Sequence, residues 1–163
     1  MELCKVDILV AGELWTYSQG TPAVAAAGTA KIGILTGASR VLVLSRFYES
    51  TGNALGIKLY KQTFTGGAAP TNAYNRNLAL AAPAQPASVL AGVTFTPNTP
   101  LIVAAVNADS SANNAQLVRG DDDPLLLDAN TSYVLELINN DAQTETLTVE
   151  INLRRLQPSE LVR

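Results

Sequence analysis

A chain of 163 residues fits one domain, and at that length it can bury roughly two thirds of its unfolded surface in an unaided core. Hydrophobic residues make up 47% and charged residues only 15%, the net charge is −3, and no run of Lys or Arg is present to neutralise phosphates, which excludes nucleic-acid binding. No apolar stretch approaches the roughly 20 residues of a spanning helix, and the single cysteine, Cys4, forbids an internal disulfide and fits synthesis in a reducing cytoplasm.

The opening, Met1 to Gly12, mixes Leu3, Val6, Ile8, Leu9 and Val10 with Glu2, Lys5 and Asp7. Those charges break the layout of a signal peptide, while the apolar residues are too many for a solvated tail. The pattern predicts a docking arm over residues 1–12, hinged at Gly12 and covered by a neighbouring subunit or another protein; the alternative is an ordinary edge strand of its own domain. The folded body is expected over residues 13–156, with 157–163 as a C-terminal tail.

Glu13 to Ser18 offers a short strand around Trp15 and Tyr17. Ala23 to Ala27 and Leu78 to Ala82 hold helix formers, but Pro22, Gly28, Pro83 and Pro86 punctuate them. A helix of fewer than about 12 residues is marginal, so both read as loops. Thr29 to Thr36 and Arg40 to Ser50 read as strands joined by Gly37-Ala38-Ser39. Val41-Leu42-Val43-Leu44, apolar on both faces, predicts a central strand buried on each side. After the turn Thr51-Gly52-Asn53, Leu55 to Phe64 gives another strand rich in β-branched and aromatic residues. The connection from Gly66 to Pro86, punctuated by Gly66-Gly67, Pro70, Asn72, Asn75 and Asn77, reads as a long loop, and a loop of that length predicts a contact surface. Further strands are expected at Ala87 to Thr96, Leu101 to Asn107 and Gln116 to Val118.

The strongest pattern closes the chain. From Thr144 to Arg154, Leu147, Val149, Ile151 and Leu153 fall on one face, and Thr148, Glu150, Asn152 and Arg154 on the other. Thr131 to Ile138 reads as its partner, with Leu135 and Leu137 on the dry side. Asn139-Asn140-Asp141-Ala142-Gln143 supplies turn residues between them, which predicts a C-terminal hairpin. Seven to nine short strands with frequent turn signals predict an all-β, antiparallel β-sandwich or jelly-roll-like single domain.

The sequence has no histidine, so neither a Ser-His-Asp nor a Cys-His centre can be built, and an enzyme is not expected. Cys4 lacks a histidine to activate it, and one cysteine without histidine cannot supply the usual four ligands of zinc. Asp121-Asp122-Asp123 lacks the spaced ligands of a calcium loop and reads as a solvated acidic turn ending at Pro124. Among Glu13, Glu49, Glu136, Glu145 and Glu150, with the Asp residues, Glu136 and Glu150 lie on the two strands of the expected hairpin and could approach one another. Alternation assigns both to solvent rather than to a glycosidase pair. Thr65-Gly66-Gly67 matches no phosphate-binding loop, so no cofactor and no metal is expected. Arg119-Gly120-Asp121 is a tripeptide that integrins recognise, placed on an expected exposed turn, where a glycine between polar residues is ordinary. Asn130-Thr131-Ser132 fits the N-glycosylation pattern, which matters only in a secreted protein. Arg154-Arg155 reads as a solvated strand end.

Several stretches carry a resemblance. Gly20 to Thr29 looks like a "TPV-x-A-A-G" entry to a first strand, Arg40-Val41-Leu42-Val43-Leu44 follows with a charged start, and Pro70 to Leu78 reads "P-T-N-x-Y-N-R-N-L". Leu127 to Leu135 is similar to an "L-x-P-N-T-S-Y" phrase, with Asp128-Ala129 where that phrase has proline. Over roughly residues 20–156 the chain resembles small β-sandwich structural proteins of tailed-bacteriophage virions, above all capsid decoration (cement) proteins. The resemblance implies a jelly-roll-like sandwich on the capsid surface of the virion, made in the host cytoplasm. It further implies the major capsid protein and the chain itself as partners, a trimer being favoured over a dimer; the charge and apolar patterning leave out nucleic acid and membrane. The expected partner-binding residues are Leu3, Val6, Ile8, Leu9 and Val10 of the arm and Asn72, Tyr74, Asn75 and Arg76 of the long loop. Two alternatives stand beside it: a fibre or knob module of the virion, and a carbohydrate-binding sandwich with an aromatic platform drawn from Trp15, Tyr17, Tyr48, Tyr60 and Tyr74.

Overall fold

A computed structural model describes residues 14–76, 84–107, 117–121 and 124–156. The expected arm with Leu3, Cys4, Val6, Ile8, Leu9 and Val10, the tail over 157–163, the Leu78 to Ala82 loop, Gln116 and Asp122-Asp123 lie outside the described residues.

Regular structure among the described residues is all β: β1 (Trp15–Val24), β2 (Thr29–Thr36), β3 (Val41–Ser50), β4 (Ala54–Lys61), β5 (Asn72–Asn75), β6 (Ala87–Ala91), β7 (Ile102–Asn107), β8 (Leu117–Asp121), β9 (Leu125–Leu127), β10 (Ser132–Asn139) and β11 (Glu145–Arg155). They form two antiparallel sheets packed face to face. Sheet A runs β5-β1-β11-β3-β8, with β9 also on β3, and sheet B runs β6-β2-β10-β4-β7.

The pairing is nested. β1 pairs with β11, β2 with β10, β3 with β8 and β4 with β7, so the first four strands each meet a partner from the second half of the chain in reverse order. Within each sheet two of these pairs join, through β11–β3 in one and β10–β4 in the other. A long doubled ribbon wrapped into two four-stranded sheets is the jelly-roll arrangement. The segment between β4 and β7 adds β5 to one sheet and β6 to the other, which widens both on the same side of the sandwich.

Nesting overturns the expected C-terminal hairpin. β10 and β11 lie in different sheets, and the five residues between them cross the sandwich instead of reversing within one sheet. Gly37-Ala38-Ser39 crosses in the same way between β2 and β3. The dry face that alternation predicts nevertheless holds: Leu135, Leu137, Leu147, Val149, Ile151 and Leu153 are all buried in one core with Trp15, Tyr17, Ile32, Ile34, Val41, Tyr48, Leu55 and Ile57.

Four expectations about elements change. β1 continues past Ser18 to Val24, because a bulge at Pro22-Ala23, with Ala23 at φ 56°, lets pairing with β11 resume at Glu145. The Gly66 to Pro86 loop is interrupted by β5, a four-residue edge strand on β1. Arg119-Gly120-Asp121 is the end of strand β8 on β3, not a turn. In β3, Val41 and Val43 face the core while Leu42 and Leu44 are only half-buried, so the strand is interior to its sheet without being dry on both faces.

Two corners are fastened by side chains. Asn139, fully buried, donates from Nδ2 to the Val24 carbonyl (2.9 Å) and the Gln143 carbonyl (2.7 Å), and its Oδ1 accepts from the Asp141 N–H. At the opposite end the Thr36 hydroxyl donates to the Asp128 carbonyl (2.6 Å) and accepts from the Thr131 N–H (2.9 Å). Asn130, at φ 50°, makes the left-handed turn that aims Thr131 there.

Candidate interaction surface

The outer face of each sheet is defined by alternation away from the core. On sheet B this face is not bare. Segments around Thr65 and Thr94, joined by mutual backbone hydrogen bonds of 2.9 Å, fold over it. They bring Phe64, Val93 and Phe95 onto Leu90, Val134 and Tyr60 as a second, smaller hydrophobic cluster. Phe64 lies directly on Gly33, where a Cβ would come within 2.6 Å of the ring. Only glycine leaves room for that contact.

Beneath this cover sits Glu136. It is buried, not solvated as alternation suggested, and the reason is the cover: an outward side chain is exposed only if nothing packs on the sheet. Its Oε2 accepts from the Tyr60 hydroxyl at 3.1 Å, and Lys31 Nζ stands 4.0 Å from Oε1 and 5.5 Å above the Phe95 ring. Burial, followed by the Glu136 charge, pushes the Tyr60 hydroxyl above the ordinary tyrosine range. Glu150 belongs to the other sheet, so the two carboxylates do not form a pair.

The outer face of sheet A is polar at its centre. Thr16 donates to Asn152 Oδ1 at 2.5 Å, and Asn152 Nδ2 donates to Ser45 at 2.9 Å. Thr16, Asn152 and Arg154 are buried, so Arg154 is not the solvated strand end that its position suggested. Apolar side chains stand in the open around this centre: Phe47 on β3, Leu126 on β9 at 49% exposure, and Tyr74 on β5 at 42%.

β5 carries the described part of the expected partner-binding set, and the alternation of a strand divides it. Asn72 and Tyr74 are exposed on the outer side, opposite Ser18 and Thr16. Asn75, opposite Trp15, turns inward and is buried, which removes it from any contact surface. Arg76 is exposed just past the strand, and its N–H donates to the Leu14 carbonyl at 2.9 Å.

The aromatic platform required of a sugar-binding sandwich does not form. Trp15, Tyr17, Tyr48 and Tyr60 are buried, leaving Tyr74 alone of the five exposed. Between the sheets, Ile102 and Ala104 of β7 and Leu125 and Leu127 of β9 line an apolar cavity of about 50 Å³ that Arg46 also enters. Arg46 points inward because a bulge between Asn152 and Leu153 leaves Leu44 unpaired and shifts the alternation of β3 by one residue. Sequence alternation alone cannot locate such a slip. Among the described residues, no group of three His, Cys, Asp or Glu side chains is placed to hold a metal ion.

No protein-family model matches the chain, and no curated protein does. Among solved structures, it is similar to a chain of infectious bursal disease virus, Gt strain, at 14% identity and a TM-score of 0.22, over 91% of this chain and 41% of that one. A chain of the T13 viral particle of the same virus gives 13% identity and a TM-score of 0.24, over 91% and 40%. This chain thus spans about two fifths of the length of the solved chains it matches. Neither superposition is close.

Proposed function

We propose that this chain is a virion structural protein, specifically a decoration protein that binds the capsid surface of a tailed bacteriophage and staples its subunits together. The observation that carries the reading is the outer face of sheet A, where Phe47, Leu126 and Tyr74 stand exposed on three different strands of one sheet. Apolar side chains spread over a face are surface that association would remove from water. The jelly-roll pairing agrees with it by analogy, since that architecture recurs in viral capsid proteins, although it also serves lectins and cupins.

In this role the major capsid protein is the partner, the chain works as a homo-oligomer, and no catalysis is involved. The mechanism is repeated burial of modest interfaces. A standard interface of roughly 1,200–2,000 Å² gains avidity when it recurs around a shell. The trimer preference comes from the family resemblance alone.

The test is reconstitution. Capsids of the encoding phage that lack this chain are mixed with the purified protein, sedimented and imaged. Saturable binding at fixed capsid positions, with a raised temperature of particle disruption, is the expected result. Density at the tail or on a fibre would favour the fibre or knob reading, and absence from purified virions would overturn both.

A further inference from the structure

We infer that β7 is a self-pairing edge: two copies of this chain join β7 to β7, antiparallel across a two-fold axis, into one continuous sheet. An edge strand presents unpaired N–H and C=O groups along one side, and natural sheets blunt such edges by shortness, charge, proline, bulges or cover. The other edges here each carry one of these devices. β5 has four residues and asparagine at both ends. β6 follows Pro86 and runs into Gly92 at φ 71°, and backbone bonds to Ala68 already occupy Ala91. β8 includes Arg119 and Asp121 in five residues, and β9 has three residues after Pro124.

Among the described residues, β7 shows none of them. It runs Ile102-Val103-Ala104-Ala105-Val106-Asn107, six residues without charge or proline, and its register on β4 is unbroken from Ala54–Asn107 to Leu59–Ile102. Among the described residues no strand lies beyond it. Val103, at 65% exposure, and Ala105 face outward, and Leu101 just before the strand is 58% exposed.

The occupant follows from the same inventory. Among the described edges, β7 alone is both uncharged and more than five residues long, so the matching edge on another copy is β7 itself. A strand meeting its own copy forms an isologous, closed contact, and its neutrality removes like-charge repulsion across the axis. This pairing gives a two-fold contact, in place of the three-fold one that the resemblance implies, and it does not depend on the capsid reading.

Sedimentation equilibrium of the full chain from micromolar to millimolar concentration is the experiment. The expected species has twice the 17.1 kDa chain mass. Val103→Lys with Ala105→Lys, both on exposed positions, is expected to yield monomers that melt as dilute, monomeric wild type does. Leu35→Lys, a lysine on an exposed leucine of β2 three strands away from β7, should leave the dimer intact. Hydrogen exchange of the wild-type protein gives a readout free of any variant: β7 amides should exchange faster on dilution while β10 amides do not. A wild-type monomer over the whole range, a dimer that survives the double lysine variant, or dissociation by Leu35→Lys overturns the pairing.

Discussion

Asn139 at the end of β10 holds the carbonyl of Val24 at the end of β1 through a 2.9 Å hydrogen bond, tying the last corner of the sandwich to the first. The backbone reinforces the tie: Ala27 N–H donates to the Asn139 carbonyl, and Asn139 N–H to the Gly28 carbonyl, both at 2.9 Å. These two corners are the two chain segments of the doubled ribbon at its first bend, far apart in sequence and held side by side there.

Asn139→Ala therefore removes a fully buried amide and strands two carbonyls. An unmade hydrogen bond to a buried group costs about 1–3 kcal/mol, so a loss of about 2–4 kcal/mol is expected. Urea unfolding checks it. Asn139→Asp should be no better, since a carboxylate faces carbonyls where a donor stood; a rescue by Asp would show that the corner needs only the acceptor.

Ile151 is buried between the sheets and borders the apolar cavity near Arg46. Ile151→Ala enlarges that space, and large core truncations cost about 2–5 kcal/mol. A measured loss below about 0.5 kcal/mol is the size of an ordinary surface substitution and would mean that the face assignment of β11 is inverted.

The residues show why some of the fold could be read from sequence. Alternation acts within a strand, so Leu147, Val149, Ile151 and Leu153 declared their face without knowledge of any partner. Sheet membership is different. A turn such as Asn139 to Gln143 can close a hairpin or cross the roughly 10 Å between sheets, and only the nested pairing of distant strands decides. β5 was hidden because Asn72-Ala73-Tyr74-Asn75 has no β-branched residue, and it exists through the neighbour it found in β1. Of the candidate surface, Asn72, Tyr74 and Arg76 could be read as exposed, whereas Asn75 could not be told apart until its segment became a strand. The exposure of Phe47 and Leu126 and the edge position of β7 were out of reach, since they depend on which neighbours each strand acquires.

Gly33 and Phe64 supply a coupled pair. A methyl group at residue 33 would meet three ring atoms of Phe64 at 2.6–2.8 Å, so Gly33→Ala must displace the ring and lift the cover from sheet B. Overpacking of this kind costs about 1–3 kcal/mol. Phe64→Ala should remove most of the added penalty, so the double variant is expected to be more stable than the sum of the singles predicts. A double-mutant cycle measures the coupling, and simple additivity would place the strain of Gly33→Ala elsewhere.

Stability should fall at both ends of the pH scale, for different reasons. The Lys61 ammonium, 2.8 Å from Asp128, holds that carboxyl below the ordinary carboxylate range. The Asn53 N–H at 2.8 Å does the same for Asp141. A depressed folded value means that the folded state prefers the charged form. Their contribution is present above the ordinary carboxylate pKa of about 4 and is lost as pH falls through the lower folded values. At the alkaline end the signs reverse. Burial raises Tyr17, whose hydroxyl reaches the Ala87 carbonyl at 3.3 Å, and burial with the Glu136 charge raises Tyr60. Hydrogen bonding to Asp128 and its charge raise Lys61. Raised groups contribute fully below their unfolded values, about 10 for tyrosine and 10.4 for lysine, and that contribution is lost as pH climbs through the folded ones. Urea midpoints measured against pH should therefore form a plateau that drops below about pH 4 and above about pH 10. Asp128→Asn with Asp141→Asn should flatten the acid limb. An acid limb as steep in that variant as in the wild type would assign acid unfolding to other carboxylates.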